Sequence, residues 1–209
     1  MMNLEQMYDE IAIKCFQEYN IIRDNEEYEL MEIEVYMKDP IKKIEDIYIH
    51  AHDEQKNFED IYYHYSGVDI CLGNQAEDIF CGVLVRGIKN NNNTIYGPGR
   101  IAYPHRDKKQ RIIQLKKKNS SISSLVLSND TTGETNLENI IFRLPRVNLS
   151  NTTTRDNLQI DINNTYKFLN LSARYIRISD LNFFTPADNA PAEVREIFNA
   201  YRAYKNTTE

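Results

Sequence analysis

Glu34 and Tyr36 stand two residues apart in the stretch Tyr28-Glu-Leu-Met-Glu-Ile-Glu-Val-Tyr36, so in an extended chain both side chains leave the same face. A carboxylate beside an aromatic ring suits the activation of water next to a flat, stacked substrate. Glu32 shares that face and is the natural decoy for Glu34. Arg86 ends the apolar run Val83-Leu84-Val85, where a guanidinium without an anion would be costly, and Glu32 or Asp69 could pair with it for structural reasons alone. His50, His52, Asp53, His64 and Asp69 offer a different chemistry, that of a metal-dependent hydrolase, although they lack a third well-spaced histidine motif.

The elements that must position these groups follow from periodicity. Leu4, Met7, Tyr8, Ile11, Cys15 and Tyr19 recur every three or four residues and predict an amphipathic helix over 3–19. Asp24-Asn25 turns the chain into a strand over 28–37, with Leu30, Glu32, Glu34 and Tyr36 on one side and Met31, Ile33 and Val35 on the core side. Lys38-Asp39-Pro40 breaks that strand, and a polar connection over 41–55 follows. Residues 62–72 and 79–88 read as two central strands, the second apolar enough to be buried on both faces. Gly97-Pro98-Gly99 turns into a basic helix. Short strands are expected at 125–127 and 140–142, an extended segment at 166–178, and a final helix capped by Asn189 with a stripe of Val194, Ile197, Phe198, Tyr201 and Tyr204. The fold class is therefore α+β: one domain over 1–209, with a curved antiparallel or mixed sheet and a few flanking helices.

A net charge of −6 argues against a general polyanion binder, but charge is unevenly placed. Arg100, Arg106, Lys108, Lys109, Arg111, Lys116, Lys117 and Lys118 meet only one acid, Asp107, and form a candidate phosphate-facing strip. Cys15, Cys71 and Cys81 have no metal-like spacing and read as reduced core thiols. With no signal core and no run of eighteen apolar residues, the expectation is a cytoplasmic, soluble protein that meets no membrane.

Glu-x-Glu-x-Tyr at 32–36, the tyrosine-rich run Ile61-Tyr62-Tyr63-His64-Tyr65-Ser66-Gly67, the strand closing on Arg86, and Gly97-Pro98 follow one another in an order that resembles the methylpurine (3-methyladenine, or alkyladenine) DNA glycosylases. The resemblance spans about residues 28–103 and implies an alkyladenine-glycosylase-like fold. It also implies DNA repair by base excision: monofunctional hydrolysis of the N-glycosidic bond of a damaged purine flipped out of duplex DNA. By the same resemblance Glu34 activates water and Arg86 lies beside it. Tyr36, Tyr63 and one of His50 or His52 sandwich the flipped base. Gly97, Gly99 and Arg100 meet a phosphate, and Lys108, Lys109 and Arg111 extend that contact. The family has an aromatic wedge where this chain has Ser66, so either Tyr65 or a group elsewhere in the chain is expected to take its place against DNA. The expected enzyme is a monomer that needs no metal or organic cofactor and, in a prokaryote, associates with the nucleoid. The competing expectation is a relative that binds nucleic acid without catalysis.

Overall fold

The computed structural model describes residues 3–103, 113–119, 125–127, 140–144, 146, 171, 173–177 and 180. Helix α1 (Leu4–Glu18) begins where Asn3 accepts a hydrogen bond from the Gln6 amide at 2.8 Å while the Gln6 side chain accepts from the Asn3 amide at 2.9 Å. Two otherwise unpaired amides are satisfied at once. Of the expected stripe, Met7, Tyr8 and Cys15 are buried, joined by Ala12 and Phe16, while Leu4 and Ile11 are half-buried.

The chain passes directly into β1 (Tyr19–Arg23), which pairs with β2 (Glu26–Asp39) through a two-residue turn. Asp24 and Asn25 both adopt positive φ, 53° and 65°, a conformation these two residue types tolerate better than most. β2 is the spine of the sheet. β6 (Phe80–Lys89) runs antiparallel along nearly its whole length, while β1, β11 (Arg174–Arg177) and the two-residue β3 (Ile44–Glu45) share its other edge.

Register shifts between Leu30, Glu32 and Ile33 mark a bulge where β2 meets β6. One extra residue reverses the facing of everything before it. Leu30 consequently joins the core with Ile33, Val35 and Met37, and is not on the side of Glu32, Glu34 and Tyr36 where strict alternation puts it.

The segment expected as one strand over 62–72 is a hairpin, β4 (Asp60–His64) and β5 (Gly67–Cys71), with Tyr65-Ser66 at its tip. Gly67 follows the turn because a Cβ there would lie 2.8 Å from both Leu84 and Pro98. β7 (Thr94–Tyr96) leads to α2 (Pro98–Ala102), a short helix that ends at Tyr103, and the basic residues 106–111 of the expected helix lie outside the described residues. Residues 113–117 form β8 (Ile113–Lys117), antiparallel to β1. The alternation of buried Ile113 with exposed Gln114 has a strand's period of two. β9 (Val126–Leu127) and β10 (Ile140–Leu144) fall where short apolar pieces predict them, and β10 pairs with β11. The expected helix after Asn189 lies outside the described residues.

The eleven described strands make one curled sheet whose main path runs β4-β5-β6-β2-β11-β10-β9, antiparallel except for β9 with β10. One side of it supplies Val68, Ile70, Val83, Val85, Ile88, Ile33, Val35 and Tyr175 to a core shared with α1. Full burial of each such aliphatic chain contributes about 1.5–3 kcal/mol before entropy is subtracted. Cys15, Cys71 and Cys81 are buried free thiols. Among the described residues no helix is long and apolar enough to cross a membrane.

Candidate active site

Directly paired residues in an antiparallel sheet point the same way, so register shows which side chains share the face opposite the core. Tyr62 pairs with Asp69, Asp69 with Leu84, Leu84 with Glu34 and Glu34 with Arg174. A single row therefore crosses five strands and carries most of the chain's candidate chemistry.

At its β2 end, Glu32 and Glu34 are 0 % and 1 % exposed. Tyr36 donates its hydroxyl to Glu34 Oε2 at 2.8 Å, and Arg86 Nη1 lies 3.3 Å from the same oxygen. Arg86 Nε donates to Glu32 Oε1 at 2.8 Å, and Arg174 Nε donates to that oxygen as well. Two carboxylates and two guanidiniums thus neutralise one another out of water, the arrangement in which buried charge is tolerated. Burial pulls the Arg86 guanidinium down, but Glu34 and Glu32 outweigh it and hold Arg86 above its usual value. Burial, and then the Glu34 charge, push the Tyr36 phenol well up, so Tyr36 stays a donor. Glu32 is therefore a full partner in the cluster, where its sequence position marks it as a decoy.

One face of the Tyr36 ring is covered by the Arg146 guanidinium, 4.7 Å from the ring centre, which also pairs with Asp46 at 2.6 Å. Tyr63 departs further from expectation. Alternation along β4 sends it to the core side with Val68, and its hydroxyl accepts from the Ile113 amide at 2.9 Å and donates to the Ile113 carbonyl at 3.3 Å. It lines a separate cleft of about 330 Å³ with Glu59, Asp60, Ile61, Gln114 and Leu115. Tyr63 and Tyr36 lie on opposite faces of the sheet and cannot sandwich one base.

Tyr62 takes the place expected for Tyr63. His52 stacks on it at 4.9 Å and 16°, His64 at 5.5 Å and 26°, and His50 meets its edge at 6.3 Å. His50 also lies 4.5 Å from His64. Both candidate histidines thus join one aromatic wall, which sequence missed because a strand read as continuous hides where the hairpin sets the phase. Among the described residues no three His, Cys, Asp or Glu side chains converge to hold a metal ion, so the metal-hydrolase expectation finds no ligand set there. The imidazoles pack on rings, and His64 is engaged with Asp69 at 3.0 Å.

Tyr65 stands 93 % exposed at the hairpin tip, open to a partner. Gly97 adopts φ 100° and its amide donates to the Arg86 carbonyl at 2.8 Å, which ties α2 to the end of β6. That amide is therefore not offered to a phosphate. Gly99 and Arg100 are exposed beside it, and Lys108, Lys109 and Arg111 lie outside the described residues. Of the described part of the basic strip, Lys116 pairs with Glu27, Lys117 with Glu59, and Lys118 donates to the Phe16 carbonyl. These contacts reduce the positive field the strip offers to a polyanion. Compared with family models, curated proteins and solved structures, the chain finds no match.

Proposed function

We propose that this protein is a monofunctional DNA glycosylase acting on damaged purines, with Glu34 as its catalytic carboxylate. The observation that carries the reading is the shared seat of Glu34, Tyr36 and Arg86, with 2.8 Å and 3.3 Å contacts on one carboxylate oxygen, on the same sheet face as the His50–Tyr62–His52 wall. Cleaving an N-glycosidic bond builds positive charge on the sugar, which a fixed carboxylate offsets while it accepts the proton of attacking water. Tyr36 and Arg86 orient that carboxylate. The rings of Tyr62, His52 and His50, on the same face three strand spacings from Glu34, offer neighbouring bases of the bound strand a surface to stack on, at about 1–3 kcal/mol per base. Electron-rich rings favour cationic alkylated purines over their neutral parents. Tyr65 would enter the stack that the base vacates, a role its exposure on the hairpin tip supports.

A second reading, binding of nucleic acid without excision, is favoured by the 1 % exposure of Glu34 and its commitment to Tyr36 and Arg86. Duplex oligonucleotides carrying hypoxanthine, ethenoadenine or 3-methyladenine, incubated with the protein and then treated with alkali, separate the two. Strand breaks that fall about 10²- to 10⁴-fold in Glu34→Gln are the expected result. Equal breakage by both proteins removes Glu34 from the mechanism. Retention of the oligonucleotides with no breakage supports the binding module.

A further inference from the structure

Ser66, His64, Asp69 and Gln55 form a hydrogen-bonded line that the glycosylase reading does not use. Gln55 Nε2 donates to Asp69 Oδ2 at 2.8 Å, Asp69 Oδ1 faces His64 Nε2 at 3.0 Å, and His64 Nδ1 faces Ser66 Oγ at 2.8 Å. The line is buried at one end and open at the other: Gln55, Asp69 and His64 are 1 %, 2 % and 8 % exposed, whereas Ser66 is exposed on the hairpin tip. Gly82 makes this possible, since a Cβ there would lie 2.5 Å from Gln55 Nε2 and 2.7 Å from Asp69 Oδ2.

An ionised Asp69 only accepts, so it selects the His64 tautomer with the proton on Nε2 and leaves the Nδ1 lone pair for the Ser66 hydroxyl. That is the arrangement of an activated nucleophile: a hydroxyl within reach of a base, and the base oriented by a third group. We propose that Ser66 is the nucleophile of a second site that cleaves activated carboxylic esters, with His64 as base and Asp69 and Gln55 as positioning residues. Ser66 Oγ bonds to the acyl carbon as its proton passes to His64 Nδ1. The bond to the leaving alcohol breaks, and that oxygen takes the proton back from Nδ1. Water, deprotonated by Nδ1 in turn, releases the acid and restores Ser66. Tyr65, exposed next to the nucleophile, gives an aryl leaving group a surface to lie on, so aryl esters are the substrate class.

The full-length chain incubated with 4-nitrophenyl acetate, and separately with a fluorophosphonate, tests this site without reference to DNA. Expected are a burst of one equivalent of nitrophenol and a fluorophosphonate adduct mapped to Ser66. Ser66→Ala loses both while melting like the native protein, and His64→Gln slows labelling about 10²- to 10⁴-fold. Asp69→Asn also slows it, and changes the pH profile of labelling because the wrong imidazole tautomer is then favoured. An adduct on Tyr65 or on lysines but not on Ser66 in the native chain overturns the proposal, as does labelling of Ser66 at an unchanged rate in a folded His64→Gln.

Discussion

The two ends of one row of side chains handle charge in opposite ways. On β2, β6 and β11, Glu32 and Glu34 meet Arg86 and Arg174, so acids and bases cancel in a dry layer. On β4 and β5, Asp69 meets His64 and Gln55, and the line ends at an exposed hydroxyl. The first end resists change because each carboxylate is answered by a guanidinium. The second is answered by an imidazole and an amide, which share the carboxylate through hydrogen bonds. Between them lies Leu84, which separates Asp69 from Glu34 by two strand spacings, about 10 Å. The contrast teaches that a carboxylate's neighbours decide how it is held: against guanidiniums at one end, and against an imidazole and an amide at the other.

Removing a charge from the locked end should have the largest effect. Glu32→Ala leaves Arg86 and Arg174 buried without their shared acceptor, and such a loss costs about 3–5 kcal/mol, read as a shift in the denaturant midpoint. A shift below about 1 kcal/mol would show that the arginines find water or another acid, and the locked description would fall.

Gly82→Ala probes the open end. The added methyl intrudes on the Gln55 and Asp69 contact and should cost about 1–3 kcal/mol, with loss of fluorophosphonate labelling at Ser66. Full labelling in that variant would mean that Gln55 does not hold Asp69 in place.

Tyr36→Phe returns to the first end with an effect of similar size, limited because Arg86 still holds Glu34 when the hydroxyl is gone. The expected cost is about 1.5–3 kcal/mol, the range for a hydrogen bond to a charged group, again by denaturant titration.

The smallest effect is electrostatic. Burial pushes the Glu29 carboxyl up, but Arg177 outweighs it and holds Glu29 below its usual value. An acid depressed in the folded state adds stability above its unfolded pKa of about 4.3, and that stability is lost as pH falls through the lower folded value. Glu29→Gln should therefore reduce the native loss of stability in that acidic window. Glu29 is nearly half exposed, so the change is a modest slope, measured by melting at stepped pH. An identical slope in the variant would deny the pairing with Arg177.

Much of the frame is legible in the sequence. The stripe around Met7, Tyr8 and Cys15 predicts α1, Asp24-Asn25 the turn into β2, and the run around Val83 the buried β6, because each rests on local periodicity or turn chemistry, whereas β1 before that turn was not legible. The seat of Glu34 beside Tyr36 follows from a separation of two along a strand. Less legible was any feature that a single inserted residue or turn rephases. The bulge before Ile33 sent Leu30 into the core, and the turn at Tyr65-Ser66 gave Tyr62 the position expected of Tyr63.

Sequence by itself determined which residues are available and which local elements they favour, since helix and strand periods are written in neighbours a few positions apart. Tertiary structure alone decided the partners: Arg86 for Glu32 and Glu34 across 54 and 52 positions, Arg174 for Glu32 across 142, and Gln55 for Asp69 across 14. Strand pairing sets these contacts, and register depends on the whole sheet closing on one core, a condition that no single segment encodes.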